Sequence, residues 1–450
     1  MRGGISLVAA LLLCCALPAV AAAGSRTVTM RFGPIAMNAY ATETGGNRVQ
    51  TPRVDGFITA MHAELVDSRG RVIPQERVML HHVFFANMGR FPGDRQGGDC
   101  ERRGAETFYG TGEENQAIAF PAGYGYRVRR ADRWRLGWMF MNHRHTSERV
   151  YLQYTVTVTD SRRVTPVKPY WISVSCVLGK IYSVPGGGAP GAVHTRSRTW
   201  VVPRNGRIVT AAAHAHGGAL SVSVTKRGCG RMFSSDARYG GPDDPIYRLS
   251  PVLHEPSPRS MSVLTSAEGW PVNRGQRLRV TSTYSGEHPH SAVMGIMHLY
   301  VAPGPRRGPR CLAPPADMRV HRLPFPGAPG RDAPPLVTPE LSELGTDGIA
   351  RPIATLPGPV QVASGDVTVA VRNADYAPRK LSVPSGARIR WRFEDPIRHD
   401  VTLAGGPRAF ASYYLWRGAT YSTRLTTPGE YRVFCSLHPV TMAQTIEVRQ

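Results

Sequence analysis

The chain has 450 residues, a formal net charge of +23 and a sequence pI near 10.3. Such a charge invites nucleic-acid binding, but only four of its 55 basic residues are lysines, and the arginines are scattered rather than clustered. We therefore expect no nucleic-acid partner. An arginine-rich, soluble and mutually repulsive surface accounts for the charge equally well.

The N-terminus has the features of a secretory signal peptide. Arg2 is followed by the apolar run "ISLVAALLLCCALPAVAAAG", which ends in small residues, so residues 1–23 are predicted to be removed after Ala23. The run is too short to span a membrane, and no later stretch approaches 18 apolar residues. We expect a secreted or periplasmic protein with no integral membrane segment after cleavage.

The rest of the chain favours an all-β fold. Short segments rich in β-branched and aromatic residues, such as "YLQYTVTVT" and "ARIRWRF", alternate with Gly, Pro, Asn and Asp. We predict two tandem β-sandwich, jelly-roll-like domains over 24–162 and 163–302, with a seam near 159–169. A proline-rich linker over 303–360 would leave the tail domain, 361–450, free to dock almost anywhere on the rest of the chain.

Five cysteines follow the signal peptide. In an oxidising compartment the first four can form two disulfides in three possible pairings. We favour a bond between Cys176 and Cys311, which would clasp the start and end of the middle domain. The five are Cys100, Cys176, Cys229, Cys311 and Cys435.

The tail domain carries the strongest motif. "YRVFCSLHPVTM" places Cys435, His438 and Met442 within eight residues, and "EDPIRHDVTL" adds His399. A thiolate and two imidazoles with a weak thioether ligand form a type 1, or blue-copper, site. Residues 362–450 resemble plastocyanin and amicyanin, which implies a Greek-key cupredoxin sandwich. The resemblance also implies one-electron transfer at a copper that has no open position for substrate.

Histidines also occur in pairs far upstream of the tail. Residues two apart on a strand share a face, so His214 and His216 can reach one ion. Adjacent His81 and His82 would point to opposite faces unless the strand ends or bulges there. The candidate ligands in these motifs are His81, His82, His143, His145, His214, His216, Met294, Met297 and His298.

In order and local sequence, residues 28–302 resemble the copper type II monooxygenases, peptidylglycine α-hydroxylating monooxygenase and dopamine β-monooxygenase. "MLHHVFF", "GWMFMNH", "AHAHGGAL" and "AVMGIMHLYV" carry the resemblance. It implies a three-histidine copper that passes electrons, held by His81, His82 and His143, with His145 as the alternative ligand in the last strand. It also implies an oxygen-activating copper held by His214, His216 and Met294, with Met297 as the alternative.

The residues around these ligands depart from the peptide-hydroxylating enzyme. Ala212, Ile296 and His298 stand where that enzyme has its substrate-binding side chains, so the resemblance does not imply peptide amidation. We predict a secreted copper oxidoreductase whose tail feeds electrons to a monooxygenase-like module acting on an unknown organic substrate. Its reductant would be a small molecule or a redox protein. The alternative is a non-enzymatic copper-binding electron-transfer protein whose upstream domains have lost catalysis.

Overall fold

The structure is a computed structural model, and it describes residues 24–89, 100, 105–306, 311, 313–322, 330 and 332–450. The predicted signal peptide, 1–23, lies outside these residues. Strands dominate, so the predicted all-β class is confirmed. Among the described residues no helix is long and apolar enough to cross a membrane.

Within the described residues, the first sandwich has nine strands in two sheets. One sheet has the order β2-β8-β4-β5, and the other contains β1-β9-β3-β7 with β6 beside β3. Its core is packed with large side chains such as Phe85, Trp134 and Tyr154. The strands are β1 (Ser25–Met37), β2 (Thr42–Val49), β3 (Gly56–Val66), β4 (Val78–Met88), β5 (Ala105–Gly112), β6 (Ile118–Ala119), β7 (Tyr124–Val128), β8 (Arg133–Asn142) and β9 (Glu148–Thr159).

The second sandwich continues the larger sheet of the first. Its strand β10 (Thr165–Ser173) pairs in parallel with β7, so the predicted seam near 159–169 runs inside one continuous sheet, whose order goes on as β10-β20-β13-β17-β21. The opposing sheet has the order β12-β18-β14-β15-β16, and β11 pairs with β19. The further elements are β11 (Tyr182–Val184), β12 (Val193–Val201), β13 (Gly206–Ala215), β14 (Ala219–Lys226), β15 (Gly230–Arg238), β16 (Ser260–Met261), β17 (Val263–Val272), β18 (Arg277–Ser285), β19 (His290–Val293) and β20 (Gly295–Pro303), with 3-10 turns at Leu178–Lys180 and Pro245–Arg248.

In the described part of the stretch predicted as a linker, 303–360, the chain forms three short strands. β21 (Arg319–His321) joins the edge of the large sheet beside β17, and β22 (Ser342–Leu344) pairs with β23 (Ala350–Pro352). Through β21, the stretch predicted as a linker therefore packs against the second sandwich, which a freely extended polyproline segment would not do.

The tail domain is a third sandwich. Its two sheets have the orders β24-β27-β32-β31-β29 and β26-β25-β28-β30, and they enclose a core that includes Trp391, Cys435 and Met442. The strands are β24 (Gln361–Val362), β25 (Val367–Arg372), β26 (Asp375–Ala377), β27 (Lys380–Pro384), β28 (Arg388–Phe393), β29 (Thr402–Gly405), β30 (Thr420–Arg424), β31 (Gly429–Phe434) and β32 (Ala443–Arg449).

The disulfides pair differently from our expectation. Cys100 bonds to Cys176, and Cys229 bonds to Cys311, while Cys435 is free and buried. The Cys176–Cys311 pairing is wrong, because Cys311 lies at the β14–β15 turn rather than at the start of the middle domain. Its sulfur lies there beside the carbonyl of Gly228.

The tail domain is docked on the two upstream sandwiches. The Thr42 N–H donates to the Leu437 carbonyl at 3.2 Å, and the Arg398 guanidinium donates to Thr44 Oγ1 at 2.9 Å. An apolar cluster joins all three sandwiches and the linker. Its buried members are Tyr40, Met79, Met141, Ile246, Leu253, Ala350 and Val440.

Candidate metal centres

A β-bulge brings His81 and His82 to the same side of β4. The β4–β8 register runs from Leu80 opposite Phe140 directly to His82 opposite Met139, which leaves His81 as the extra residue. The two ring centroids lie 4.9 Å apart. The strand therefore has the bulge that His81 and His82 need in order to reach one ion.

The second pair of histidines follows the expected alternation of a strand. Ala211, Ala213 and Ala215 of β13 pack into the core of the second sandwich, so His214 and His216 project from the other face. Their ring centroids are 5.1 Å apart. That face is turned toward the first sandwich, where β4 lies.

Histidines from both sandwiches meet in one cluster. The His216 ring lies 4.7 Å from that of His81 and 6.4 Å from that of His82, while His214 is 6.1 Å from His82. One ligand atom from each of His81, His82 and His216 fits within a span of 4.8 Å. The cluster therefore mixes members of the two predicted ligand sets.

Each of three cluster histidines has one ring nitrogen anchored. His81 Nδ1 lies 3.0 Å from Glu113 Oε1, His214 Nδ1 lies 3.1 Å from both Glu114 carboxylate oxygens, and His216 Nδ1 lies 3.1 Å from the Ala292 carbonyl. Buried Nε2 atoms of His214 and His216 have no hydrogen-bond partner among the described residues. Metal-binding histidines characteristically have one nitrogen anchored and the other free.

The burial of the cluster keeps most of its imidazoles neutral. Desolvation lowers the pKa of His81 to about 4 and that of His216 well below its usual value. His214 is the exception: burial alone would lower its pKa, but the Glu114 carboxylate raises it. A neutral imidazole is the form that binds a metal ion.

A glycine makes the close approach of the two sandwiches possible. A Cβ on Gly112 would lie 2.6 Å from Cε1 of His214 and 2.7 Å from the His81 carbonyl. Both distances are shorter than ordinary van der Waals contact. Only glycine therefore fits at the end of β5 without displacing the cluster.

The other predicted upstream residues are spread around the cluster. His143 is buried just after β8, and neither of its ring nitrogens has a hydrogen-bond partner among the described residues. Met294 lies between β19 and β20 and lines the cavity described below. His145 is exposed and Met297 is buried in the second core.

The tail domain brings three of its four predicted ligands together. Cys435 Sγ lies 3.8 Å from His399 Nδ1 and 3.6 Å from His438 Nδ1, and one ligand atom of each fits within 4.8 Å. The ligand loop after β31 is fixed by the bonds Cys435 N–H to Met442 O and Met442 N–H to His438 O. Met442 is fully buried in the same core.

The surroundings of these residues are also fixed. Asp395 Oδ2 lies 2.9 Å from His399 Nε2, which leaves Nδ1 facing the sulfur. The Asp400 N–H points at Cys435 Sγ at 3.5 Å. Burial raises the pKa of the Cys435 thiol well above its usual value and lowers that of His438 to about 4. A bound cation would favour the thiolate over the thiol.

A cavity of about 300 Å³ lies where the three sandwiches meet. The upstream histidines line one wall, and Tyr413, Tyr414 and Ser436 of the tail domain line another. The Tyr414 hydroxyl donates to Met139 Sδ at 3.2 Å across this junction. Other walls are largely apolar and include Phe84, Trp171, Leu253, Val293, Met294 and Ile296.

Sequence reasoning missed three polar residues of the upstream cluster. Glu113 and Glu114 follow β5 in "TGEENQ", and His254 lies in "LHEPSP". A carboxylate pair directly after an apolar strand is a signal that could have been noticed, because both side chains are buried. His254 has no local pattern, and only its position in the fold brings it to His81.

Comparisons with known proteins match two parts of the chain. The family described as "Stress up-regulated Nod 19" matches residues 180–304, which lie largely in the second sandwich. A search of curated proteins finds no match.

Among solved structures, a methionine-to-glutamine variant of amicyanin in the Cu(I) form is 23% identical, covering 21% of this chain and 97% of that one, with a TM-score of 0.18. A proline-to-glycine variant of amicyanin in the reduced Cu(I) form is 25% identical. The match covers 20% of this chain and 87% of that one, also with a TM-score of 0.18.

Proposed function

We propose that this protein is a copper-dependent oxidoreductase with a type 1 copper in its tail and a second copper centre in the upstream histidine cluster. The observation that carries the proposal is the shared cavity. Residues adjacent to the tail ligands form one wall of it, and His81, His82, His214 and His216 form another. The upstream histidines thus face a small chamber whose opposite wall includes Asp400 and Ser436, the direct neighbours of His399 and Cys435.

The tail residues fit copper by their chemistry. His399, His438 and Cys435 provide two imidazoles and a thiolate, and the buried Met442 provides the thioether that completes a blue-copper donor set. Bound copper would supply one-electron exchange. The polypeptide fixes the His399 imidazole through Asp395, aims the Asp400 N–H at the sulfur and buries the site.

The upstream cluster fits a copper that a small molecule can approach. His81, His82 and His216 are the converging ligands, with His214 and Met294 beside them along the cavity. Imidazole and thioether ligands suit copper in both of its oxidation states. We propose that this centre, supplied with electrons by the tail, supports hydroxylation of an organic substrate by dioxygen.

The environment we propose is outside the cytoplasm. Two disulfides suit a secreted or periplasmic protein, where oxidising conditions preserve them. A small-molecule reductant or a redox protein would supply the electrons. Such a reductant has a place to act at the tail domain, because the His438 side chain is only partly buried.

The test is a comparison of copper content, the visible thiolate-to-copper band and oxygen uptake with a reductant. The mature protein, Cys435→Ser and the double variant His214→Ala, His216→Ala are compared. We expect Cys435→Ser to lose the band and the double variant to lose upstream copper and oxygen uptake while keeping the band. Upstream copper that is unchanged in the double variant would refute the cluster. Copper without oxygen uptake under any reductant would refute catalysis and leave an electron carrier.

A further inference from the structure

Beside the converging His81, His82 and His216 lies a second group of potential ligands. One atom from each of His81, Glu113 and His254 fits within 4.8 Å. Glu113 Oε1 lies 3.0 Å from His81 Nδ1 and 3.1 Å from His254 Nε2, and the rings of the two histidines meet edge to face at 4.5 Å. His81 belongs to both groups.

The second group contains a buried negative charge, the carboxylate of Glu113. The Glu113 side chain is only 4% exposed, and its ion-pair partners among the described residues are His81 and His254. The Ser257 N–H donates to Glu113 Oε2 at 2.9 Å, and the Ser257 hydroxyl donates to Oε1 at 2.8 Å, so these further partners are neutral. No lysine or arginine forms an ion pair with Glu113 among the described residues, and a buried carboxylate without a cation is costly.

We propose that His81, Glu113 and His254 form a second metal position, so that the upstream centre is binuclear and His81 contributes to both ions. This inference rests on the proposed function, in which the first ion is held by His81, His82 and His216. The ion at the new position is a divalent cation that accepts imidazole and carboxylate ligands, Cu²⁺ or Zn²⁺. A neutral imidazole has one ring nitrogen free to bind, so His81 can serve two ions only as the imidazolate, after its remaining ring proton has been released.

The contrast with Glu114 separates a ligand from an orienting residue. Both oxygens of Glu114 lie 3.1 Å from a single imidazole nitrogen, that of His214, which is the arrangement of a carboxylate that only orients a ligand. Glu113 Oε1 instead lies between nitrogens of two different histidines. Metal bonds of about 2.0–2.2 Å place neighbouring ligand atoms roughly 3 Å apart, which matches these two separations.

His143, expected from the sequence to share an ion with His81, belongs to neither group whose ligand atoms fit within 4.8 Å. It is 8% exposed, and both of its ring nitrogens are without hydrogen-bond partners among the described residues.

Filling the position must displace a proton. The short His81 Nδ1 to Glu113 contact is a hydrogen bond, and an ion that bonds to both atoms replaces the shared hydrogen. The proton leaves to solvent, and no electron is transferred. Metal uptake at this position is therefore accompanied by proton release.

In the experiment, the metal-free mature chain is titrated with Cu²⁺, and total bound copper is measured by mass spectrometry of the metal. The visible band measures the tail copper, and the difference between the two gives the upstream copper. The variants are His254→Ala and Glu113→Gln, with Glu255→Gln as the control, because Glu255 pairs with His290 and neither residue belongs to either group of ligands. His254 has a partly exposed side chain and tolerates truncation more readily than Glu113. Circular dichroism checks that each variant is folded.

We expect two upstream coppers in the parent and in Glu255→Gln at saturating copper, and one in His254→Ala and Glu113→Gln. In the fully loaded parent, two Cu²⁺ ions that share an imidazole couple magnetically. The type 2 electron paramagnetic resonance signal should then be weaker than the copper count requires, and it should recover in His254→Ala. One upstream copper in the parent, or an unchanged count in folded His254→Ala, would overturn the second position alone. No upstream copper in the parent would overturn the proposed function as well.

Discussion

Docking of the tail domain can be disturbed without touching any proposed ligand. Ile246, in the 3-10 turn of the second sandwich, is 2% exposed and belongs to the apolar cluster that also contains Val440 of the ligand loop. We choose Ile246→Asp because this residue lies in neither group of ligands. The expected result is release of the tail from the upstream sandwiches.

The size of the effect follows from what the substitution removes and adds. At about 0.8 kcal/mol for each buried carbon group, loss of the isoleucine side chain beyond Cβ costs about 2.4 kcal/mol. An unpartnered buried carboxylate adds about 1–3 kcal/mol. The total of about 4 kcal/mol corresponds to roughly a thousandfold shift in the docking equilibrium.

The assay is small-angle X-ray scattering combined with the rate of tryptic cleavage at the arginines of residues 303–360. Ile246→Asp should have a larger radius of gyration and faster cleavage than the parent, with the visible copper band unchanged. Ile349→Asp is the matched control, because Ile349 is 38% exposed. Equal cleavage rates in Ile246→Asp and Ile349→Asp, with both proteins folded, would show that the cluster does not hold the tail.

Three further predictions concern the sites and the core. Asp395→Asn should weaken copper binding at the tail site about 10–100-fold while keeping the visible band, because Asp395 orients His399; competition with a copper chelator measures this. Gly112→Ala should lower upstream copper content and leave the band, whereas Gly365→Ala, where a Cβ meets nothing within 4 Å, should change neither. Burial lowers the pKa of His298 to about 3. Below about pH 6.5 this histidine is therefore protonated in the unfolded state but stays neutral in the folded state. The free energy of unfolding should then decrease as the pH falls toward 3. In unfolding experiments on the metal-free protein, His298→Phe should reduce the decrease in unfolding free energy between pH 7 and 4.5 by about 3 kcal/mol. An unfolding free energy that depends on pH as steeply as in the parent would contradict this assignment.

The tail ligands were the most predictable part of the site. Cys435, His438 and Met442 lie in one loop, so local spacing alone brings them close, and His399 was the one remaining histidine of that domain. The all-β class was equally accessible, because strand alternation and turn residues are local signals.

The upstream cluster was predictable only in part. The pairing of His214 with His216 follows from strand alternation, but the bulge at His81 depends on the register of β4 against β8. The meeting of His81 with His216 depends on how two sandwiches pack, which no single strand specifies. His254 approaches from a loop with no metal-binding pattern, so sequence reasoning had no means of adding it.

Because the tail is docked, the stretch predicted as a linker does not act as a free tether. Ser436 follows Cys435 directly and lines the cavity with Tyr414, whose hydroxyl donates to Met139 Sδ. Met139 lies opposite His82 in the β4–β8 pairing. One tyrosine and one methionine thus lie between the proposed blue-copper loop and the upstream histidines. A tail that merely floated on its tether would leave the cavity without one of its walls. Activity should therefore be measured on the full chain, since removing the tail would open the chamber as well as remove the proposed electron donor.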